Sequence, residues 1–311
     1  MTVQTYNAAE HDDGKRLDMF IAERAEITRS ASAKLIEGGR VSVDGEYRDK
    51  SFIVYPGCLV EVAMPDPEPI DAEPEDIPIE VVYEDDSLIV VNKPKGMVVH
   101  PAAGNASGTL VNALLYHCKG SLSGINGKIR PGIVHRIDKN TSGILVCAKN
   151  DEAHISLAEQ LKSYKMERRY EAMVVGRIKE DNGVVEAPIG RHPSDRKRMA
   201  VVSGGREAIT HYTVIGRYEG YTHLALQLET GRTHQIRVHM KAKGHPVMGD
   251  TLYGAGRTPF EERNAKLLCE QCLHARTLAF DHPVTGEHMC FEAPLPEYFT
   301  TILEKLKDKM I

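Results

Sequence analysis

A proline-rich acidic segment divides the chain and most constrains its fold. The segment MPDPEPIDAEPEDIPIE, residues 64–80, repeats proline, which fixes φ and lacks a backbone donor. Such a segment is expected to run extended as a semi-rigid linker. It predicts a small unit over residues 1–64, an acidic linker over 65–78 and a large unit over 79–311. A chain of 311 residues is long enough for two unequal domains.

The charge distribution limits the partners of the chain. The net charge is −5, but the ten acidic residues from Asp66 to Asp86, without Lys or Arg, account for it. The remainder is mildly basic and compatible with nucleic-acid binding. No run is long enough to span a bilayer, and the start lacks the apolar core of a signal peptide. We therefore expect a cytoplasmic protein without membrane contact, with six reduced cysteines.

The small unit is predicted to contain two helices and short strands. KRLDMFIAERA places Leu17, Phe20 and Ile21 on one helix face, and TRSASAKLIEGG predicts a second helix. The following stretch predicts strands around a turn at Asp44-Gly45. Its order of elements resembles the S4 RNA-binding domain. The resemblance implies that the second helix and the next loop present three cations to RNA phosphates, whereas ordinary surface charge is the alternative. These cations are Arg29, Lys34 and Arg40.

A polar loop in the large unit separates two apolar runs. In GIVHRIDKNTSGILVCAKN, residues 132–134 and 143–146 predict short buried strands, because both runs are apolar and rich in β-branched residues. The loop between them holds His135, Arg136 and Asp138. A carboxylate on so firmly anchored a loop is either a turn residue or a catalytic reagent.

Strands and helices alternate irregularly through the rest of the large unit. Strands without regular helical crossovers predict an α+β fold with a mixed, mainly antiparallel sheet. One predicted helix, THQIRVHMKAKG, carries Arg237 three residues after His234 on the same face. The simplest interpretation of any one of these residues is that its charge points to solvent, but two arginines flanking His-Gln make that interpretation weaker.

Several separated motifs resemble the RluA-type pseudouridine synthases. These are HRIDKNTSG at 135–143, RRYEAMVVG at 168–176 and LETGRTHQIRVHMKAKGHPVMGDTLYG at 228–254. With an S4-like domain in front, the chain is most similar to the RluC/RluD branch, which acts on large-subunit ribosomal RNA. Ile137 is a conservative departure, because the family usually has Leu at this position.

The resemblance implies isomerisation of uridine to pseudouridine, with the target base flipped out of its stack. The expected partner is 23S ribosomal RNA or a precursor of the large subunit, the expected target is a domain IV stem-loop, and the expected state is a monomer. In this reaction the N1–C1′ bond breaks and C5 bonds to C1′. Atoms and oxidation state balance, so we expect neither a cofactor nor a metal.

The resemblance also assigns roles to residues. Asp138 is the essential carboxylate, which could attack C1′, stabilise an oxocarbenium-like centre or take the C2′ proton; the sequence leaves these open. Arg237 is its expected partner, Tyr170 the aromatic that stacks on the target ring, and Arg136 the residue that fills the vacated space. Further residues expected to shape the pocket or to hold phosphate are His135, Arg232 and Gln235.

Two further motifs have two interpretations each. The basic stretch RHPSDRKR is either an RNA-clamping loop or an exposed hairpin tip, and its cations are Arg191, Arg196, Lys197 and Arg198. The stretch CEQCLH contains zinc-ligand residue types at Cys269, Cys272 and His274, but no fourth ligand lies at a usual spacing, so we expect no metal site.

Two other functions compete with this one. The chain could be an RNA-binding ribosome-assembly factor of S4 type without catalytic activity, although it has Asp138, Tyr170 and Arg237. It could also be a glycoside or nucleoside hydrolase that uses the same carboxylate, which would release free uracil and leave an abasic site.

Overall fold

The computed structural model describes most of the chain. The described residues are 2–25, 27, 29–64, 72–102, 104–125, 131–195, 197–254 and 256–310. The chain forms two compact units, Met1–Pro69 and Ile70–Ile311. Among the described helices, none has the length and apolar character needed to cross a membrane.

The smaller unit combines two helices with a four-stranded antiparallel sheet in the order β1–β4–β2–β3. Its elements are β1 (Thr2–Asn7), a 3-10 turn (Glu10–Asp12), α1 (Leu17–Arg24), α2 (Arg29–Glu37), β2 (Val41–Val43), β3 (Glu46–Tyr47) and β4 (Leu59–Met64). The predicted helix face, Leu17, Phe20 and Ile21, is fully buried in one core with the strands. Asp44 and Gly45 have φ of 51° and 80°, as a tight hairpin turn requires. The first strand was not predicted.

The larger unit contains one large sheet, a separate hairpin and six helices within its described residues. Its elements are β5 (Glu80–Glu84), β6 (Leu88–Lys93), α3 (Leu110–Cys118), β7 (Ser142–Ala148), α4 (Asp151–Lys162), β8 (Glu167–Val175), β9 (Asn182–Glu186), β10 (Ile189–Arg191), β11 (Met199–Val201), β12 (Ile209–Tyr218), β13 (Tyr221–Leu228), α5 (Gln235–Ala242), α6 (Pro259–Arg263), α7 (Ala265–Leu268), β14 (Leu273–Asp281), β15 (His288–Glu292), α8 (Glu297–Leu306) and a final 3-10 turn (Lys307–Lys309).

The large sheet is mixed and mainly antiparallel. Its order is β5–β6–β7–β14–β8–β13–β12–β9, and β15 also pairs with β14. Strands β7 and β14 run parallel, whereas the other pairs described in this sheet are antiparallel. The α+β fold predicted from the sequence is therefore confirmed. The basic stretch connects β10 and β11, which form their own two-stranded antiparallel hairpin.

Strand β7 is buried at every residue, because apolar layers cover both faces of the sheet at this point. Leu145 and Cys147 belong to a core that includes residues of α3 and α5. Ile144 and Val146 belong to a second core that includes residues of α4. The polar loop that precedes β7 is therefore attached to the interior of the unit.

The run 132–134 is not a strand, so this prediction was wrong. Its glycine has φ of +72°, and Ile133 makes a single antiparallel bridge to Cys147. The ring Nε2 of His135 accepts the backbone N–H of Val146 at 3.2 Å. The backbone N–H of Val146 is therefore not available to residues 132–134 for a continuous β-ladder, so strand pairing stops there.

Gly143 allows the parallel contact between β7 and β14. Its φ is +117°, and a Cβ atom at this position would collide with the backbone of Ala275 on the neighbouring strand. Glycine alone accommodates both conditions. The loop that carries Asp138 therefore ends at a point of close backbone approach.

Part of the predicted linker contacts the larger unit. The amide of Asn112 donates from Nδ2 to the backbone O of Glu73 at 2.7 Å, and its backbone O accepts the N–H of Glu75 at 3.0 Å. The carboxylate of Glu75 accepts the N–H of Gly108 at 3.0 Å. Linker residues 65–71 lie outside the described residues.

Candidate active site

The loop that carries Asp138 is fixed by two buried nitrogen-containing side chains. His135 bonds to Val146 as described, and burial, with the nearby Arg168, lowers the pKa of His135 to about 3. This ring is therefore neutral and acts as a structural acceptor. Lys93 is 1% exposed, and burial lowers the pKa of Lys93 to about 7. Its ammonium group donates to the backbone carbonyls of Pro94, Met97 and Lys139.

Asp138 forms one end of a carboxylate–guanidinium–carboxylate arrangement. Its Oδ2 accepts a bond from Arg237 Nη1 at 2.9 Å. Arg237 also donates from Nε and Nη2 to the two carboxylate oxygens of Asp250, at 2.6 and 3.0 Å. Burial opposes the charge of Arg237, but the bond to Asp250 and the charge of Asp138 outweigh it and raise the pKa of Arg237. Arg237 is 6% exposed, so the solvent-facing interpretation of its helix was wrong.

His234 lies on the other side of Asp138. Its Nε2 is 3.9 Å from Asp138 Oδ1, and its Nδ1 is 2.7 Å from the hydroxyl of Tyr253. That hydroxyl also accepts the backbone N–H of Met199 at 2.9 Å and keeps one proton that it can donate. Burial lowers the pKa of His234, and its backbone has a left-handed φ of 57°.

His234 lines a cavity of about 490 Å³ together with Asp138. Asp138, Tyr170 and Arg237 all contribute to its wall, as does the exposed Arg136. Tyr170 is 7% exposed on β8, and burial raises the pKa of its hydroxyl. The cavity thus joins a carboxylate, a guanidinium, an imidazole and a phenol ring, a set suited to acid–base or nucleophilic chemistry on a small polar ring.

Gln235 and Arg232 lie at the start of α5. Gln235 accepts at Oε1 from the hydroxyl of Thr230 at 2.8 Å and from the N–H of Arg232 at 2.9 Å. Its Nε2 donates to Ile209 and Thr210, so its hydrogen-bonding groups are used within the protein. Gln235 therefore fixes the turn before the helix. Arg232 lines the cavity and is half-buried.

The remaining predicted cations lie outside this cavity. Arg29, Lys34 and Arg40 are exposed on the smaller unit, and Arg29 pairs with Asp18 at 2.9 Å. On the hairpin, Arg191 and Lys197 are exposed, and Arg198 pairs with Asp195 at 3.2 Å. Arg196 lies outside the described residues.

The stretch CEQCLH does not form a ligand cluster. Cys269 is exposed, whereas Cys272 and His274 are buried, and His274 Nδ1 lies 2.9 Å from the hydroxyl of Ser142. Within the described part of the chain, no three His, Cys, Asp or Glu side chains form a group that could hold a metal ion.

Sequence reasoning missed several residues of the site. Asp250, Lys93, Tyr253 and Arg168 were not selected, although three of them lie inside the recognised motif blocks. A partner such as Asp250 is expected only once Arg237 is known to be buried, because a buried guanidinium is costly without a compensating charge. Burial of Arg237 itself had no signal in the sequence.

Comparison with known protein families identifies the larger unit. A family model described as RNA pseudouridylate synthase matches residues 87–242, and an S4 domain model matches residues 15–58. The chain belongs to the RNA pseudouridylate synthase family. It is therefore an isomerase with an S4 domain, as the motifs predicted.

Relatives of similar length support this assignment. The chain is 47% identical over 301 residues to the "Uncharacterized RNA pseudouridine synthase YlyB" of Bacillus subtilis, covering 96% of this chain and 97% of that protein. It is 45% identical to the "Ribosomal large subunit pseudouridine synthase D" of Zymomonas mobilis, covering 98% of each. The solved structure of "Human RNA Pseudouridylate Synthase Domain Containing 4" matches with a TM-score of 0.55 at 25% identity, covering 73% of this chain and 93% of that chain.

Proposed function

We propose that this synthase converts uridine to pseudouridine in 23S ribosomal RNA, at a domain IV stem-loop. Four relatives that are 42–45% identical are named ribosomal large subunit pseudouridine synthase D, and the alignments cover 94–98% of this chain. Free RNA or a precursor of the large subunit is the partner, and the enzyme acts in the cytoplasm, where ribosomes assemble, as a monomer. Residues 1–64 form the S4-like unit and residues 79–311 the catalytic unit.

Asp138 is the proposed catalytic carboxylate, and one observation carries this proposal. The carboxylate of Asp138 lines the cavity and is bonded to Arg237, which Asp250 holds in a buried ion pair. A carboxylate held in this way can attack C1′, stabilise positive charge at C1′ or take the C2′ proton. The glycosidic electrons leave with N1 of uracil, the ring turns and C5 bonds to C1′. The C5 proton is then released to water, and N1 takes up a proton.

The reaction requires the target uridine to leave its stack, which costs a few kcal/mol. We assign Tyr170 to stack on the extruded ring, which recovers about 1–3 kcal/mol. Arg136 is exposed beside the loop and is assigned to the vacated space in the RNA. The exposed cations of the S4-like unit and of the β10–β11 hairpin supply phosphate contacts that do not depend on sequence.

Replacement of Asp138 with Asn tests the proposal. Tritium release from RNA labelled at C5 of uridine should fall about 10³-fold or more, while RNA binding persists, because the amide cannot act as nucleophile or base. Asp281→Asn is the control, because Asp281 is half-exposed, pairs with His288 and does not line the cavity. Release by Asp138→Asn at the rate of the unmutated enzyme would refute the assigned role.

The same assay separates the competing functions. An inactive assembly factor predicts no tritium release by the unmutated protein on any ribosomal RNA. A hydrolase predicts free uracil and an abasic site, which mass spectrometry of digested RNA detects, whereas pseudouridine has the mass of uridine. Mapping of pseudouridines in ribosomal RNA from a deletion strain tests the proposed stem-loop.

A further inference from the structure

Arg168 is a buried cation without a counter-charge among the described residues. It lies on β8, two residues before Tyr170, so both side chains point to the same face of the strand. Arg168 is 6% exposed and lines the cavity. Its Nη2 donates to the backbone O of Glu229 at 2.8 Å, whereas its buried Nε has no hydrogen-bond partner. The adjacent Arg169, on the other face, is exposed and pairs with Glu167 at 2.9 Å.

This arrangement is unfavourable in the free enzyme. Arginine is rarely buried unless it is paired, because removal of its charge from water costs several kcal/mol. Burial lowers the pKa of Arg168, and the charge of Arg232 nearby lowers it further. Arg168 and Arg232 both line the cavity, so two like charges face it.

The acidic residues of the cavity do not neutralise Arg168. Asp138 is bonded to Arg237, and Glu229 Oε1 lies 2.5 Å from Nε2 of His211. The loop after β13 also passes close to the guanidinium, because a Cβ atom at Gly231 would lie 2.6 Å from Nη1 of Arg168. The site thus offers guanidinium donors and a closely approaching loop, but none of the described carboxylates pairs with Arg168.

We propose that Arg168 and Arg232 bind one backbone phosphate of the RNA substrate beside the Tyr170 ring. This inference rests on the proposed function and adds a contact that positions the extruded nucleotide. A phosphodiester supplies the negative charge and the acceptor oxygens that the two guanidinium groups lack, and the planar guanidinium can donate two parallel bonds to it. Substrate binding then removes the unfavourable burial of an unpaired charge.

Arg168→Met tests this site, because it removes the charge and keeps most of the volume. Affinity for an RNA stem-loop that the enzyme modifies should fall about 10- to 100-fold, the range expected for loss of a hydrogen bond to a charged group. Arg168→Lys should restore part of the affinity. Arg169→Met is the matched control on the same strand and should bind RNA with nearly the affinity of the unmutated enzyme.

Thermal unfolding separates a binding role from a structural one. Because the buried charge is unpaired, Arg168→Met should keep or raise the melting temperature of the free enzyme. Inorganic phosphate should raise the melting temperature of the unmutated enzyme more than that of Arg168→Met. A lower melting temperature together with unchanged RNA affinity would show that Arg168 is structural and would overturn the proposal.

RNA with one neutral methylphosphonate identifies the phosphate. At one position beside the target uridine, the neutral linkage should weaken binding to the unmutated enzyme and cause no further loss with Arg168→Met. Independent losses at every position would exclude a direct contact. If inorganic phosphate raises the melting temperature but the neutral linkage and Arg168→Met weaken RNA binding independently, the site binds free phosphate and not RNA. These readouts measure binding, so they stay distinct from the Asp138→Asn result, which tests the chemistry.

Discussion

The buried carboxylate of Asp250 determines how firmly the guanidinium of Arg237 is held. It accepts four bonds: from Arg237 Nε at 2.6 Å, from Arg237 Nη2 at 3.0 Å, and from the N–H groups of Leu252 and Tyr253 at 3.0 Å each. All four partners are donors. In Asp250→Asn the amide nitrogen must therefore face a donor in either orientation.

In its better orientation this asparagine loses one charge-assisted hydrogen bond, the one that Arg237 Nε donates. Loss of such a bond costs about 1.5–3 kcal/mol, and an unsatisfied buried donor costs about 1–3 kcal/mol more. We therefore expect Asp250→Asn to lower the free energy of unfolding by about 3–5 kcal/mol, the range measured when one partner of a buried pair is removed. Activity should fall about 10²-fold, because Arg237 is no longer held against Asp138.

Urea unfolding followed by far-UV circular dichroism measures the stability change, and tritium release under single-turnover conditions measures the activity. Asp181→Asn is the control, because Asp181 is 81% exposed in its ion pair with Arg217 and exposed pairs contribute little. A loss of stability below about 1 kcal/mol for Asp250→Asn would refute the claim that this carboxylate anchors the site.

Two further predictions concern other parts of the chain. Below pH 6.5 His135 is protonated in the unfolded chain, whereas in the folded chain it stays neutral until about pH 3, so the free energy of unfolding falls as the pH decreases. His135→Gln can still accept the Val146 N–H. This variant should reduce the pH dependence of the free energy of unfolding, measured with urea, by up to about 1.4 kcal/mol per pH unit. An unchanged slope would contradict the neutral assignment. Replacing Arg29, Lys34 and Arg40 together with Gln should reduce the salt slope of RNA binding by about 2–3, with tritium release at saturating RNA preserved. An unaltered slope would exclude phosphate contacts by the S4-like unit.

The sequence predicted the parts of the fold that depend on local pattern. The spacing of apolar residues located α1, and a run of apolar residues located β7. The turn at Asp44-Gly45 followed from residue type. The run 132–134 looked equally strand-like, but the ring of His135 uses the donor needed for pairing, and no local pattern reports such a contact.

The residues of the site also divide into those that a sequence motif predicts and those that only the structure reveals. Motif resemblance selected Asp138, Tyr170 and Arg237, and all three line one cavity. Asp250 and Arg168 were missed, because their importance comes from burial and from partners distant in sequence. The sequence does not show whether a charged residue is buried. Buried charges, whether unpaired or part of an ion-pair network, are therefore recognised only in the structure.

The small β10–β11 hairpin has a consequence for how this enzyme can diversify. It stands apart from the nine-stranded sheet, while the Asp138 loop is joined to the most deeply enclosed strand of the unit. The tip of the hairpin can therefore vary more freely than Met199 at its base, whose backbone N–H is bonded to Tyr253 beside His234. Under the proposed role of this hairpin in RNA binding, changes at its tip would direct the enzyme to a new RNA while keeping the same chemistry.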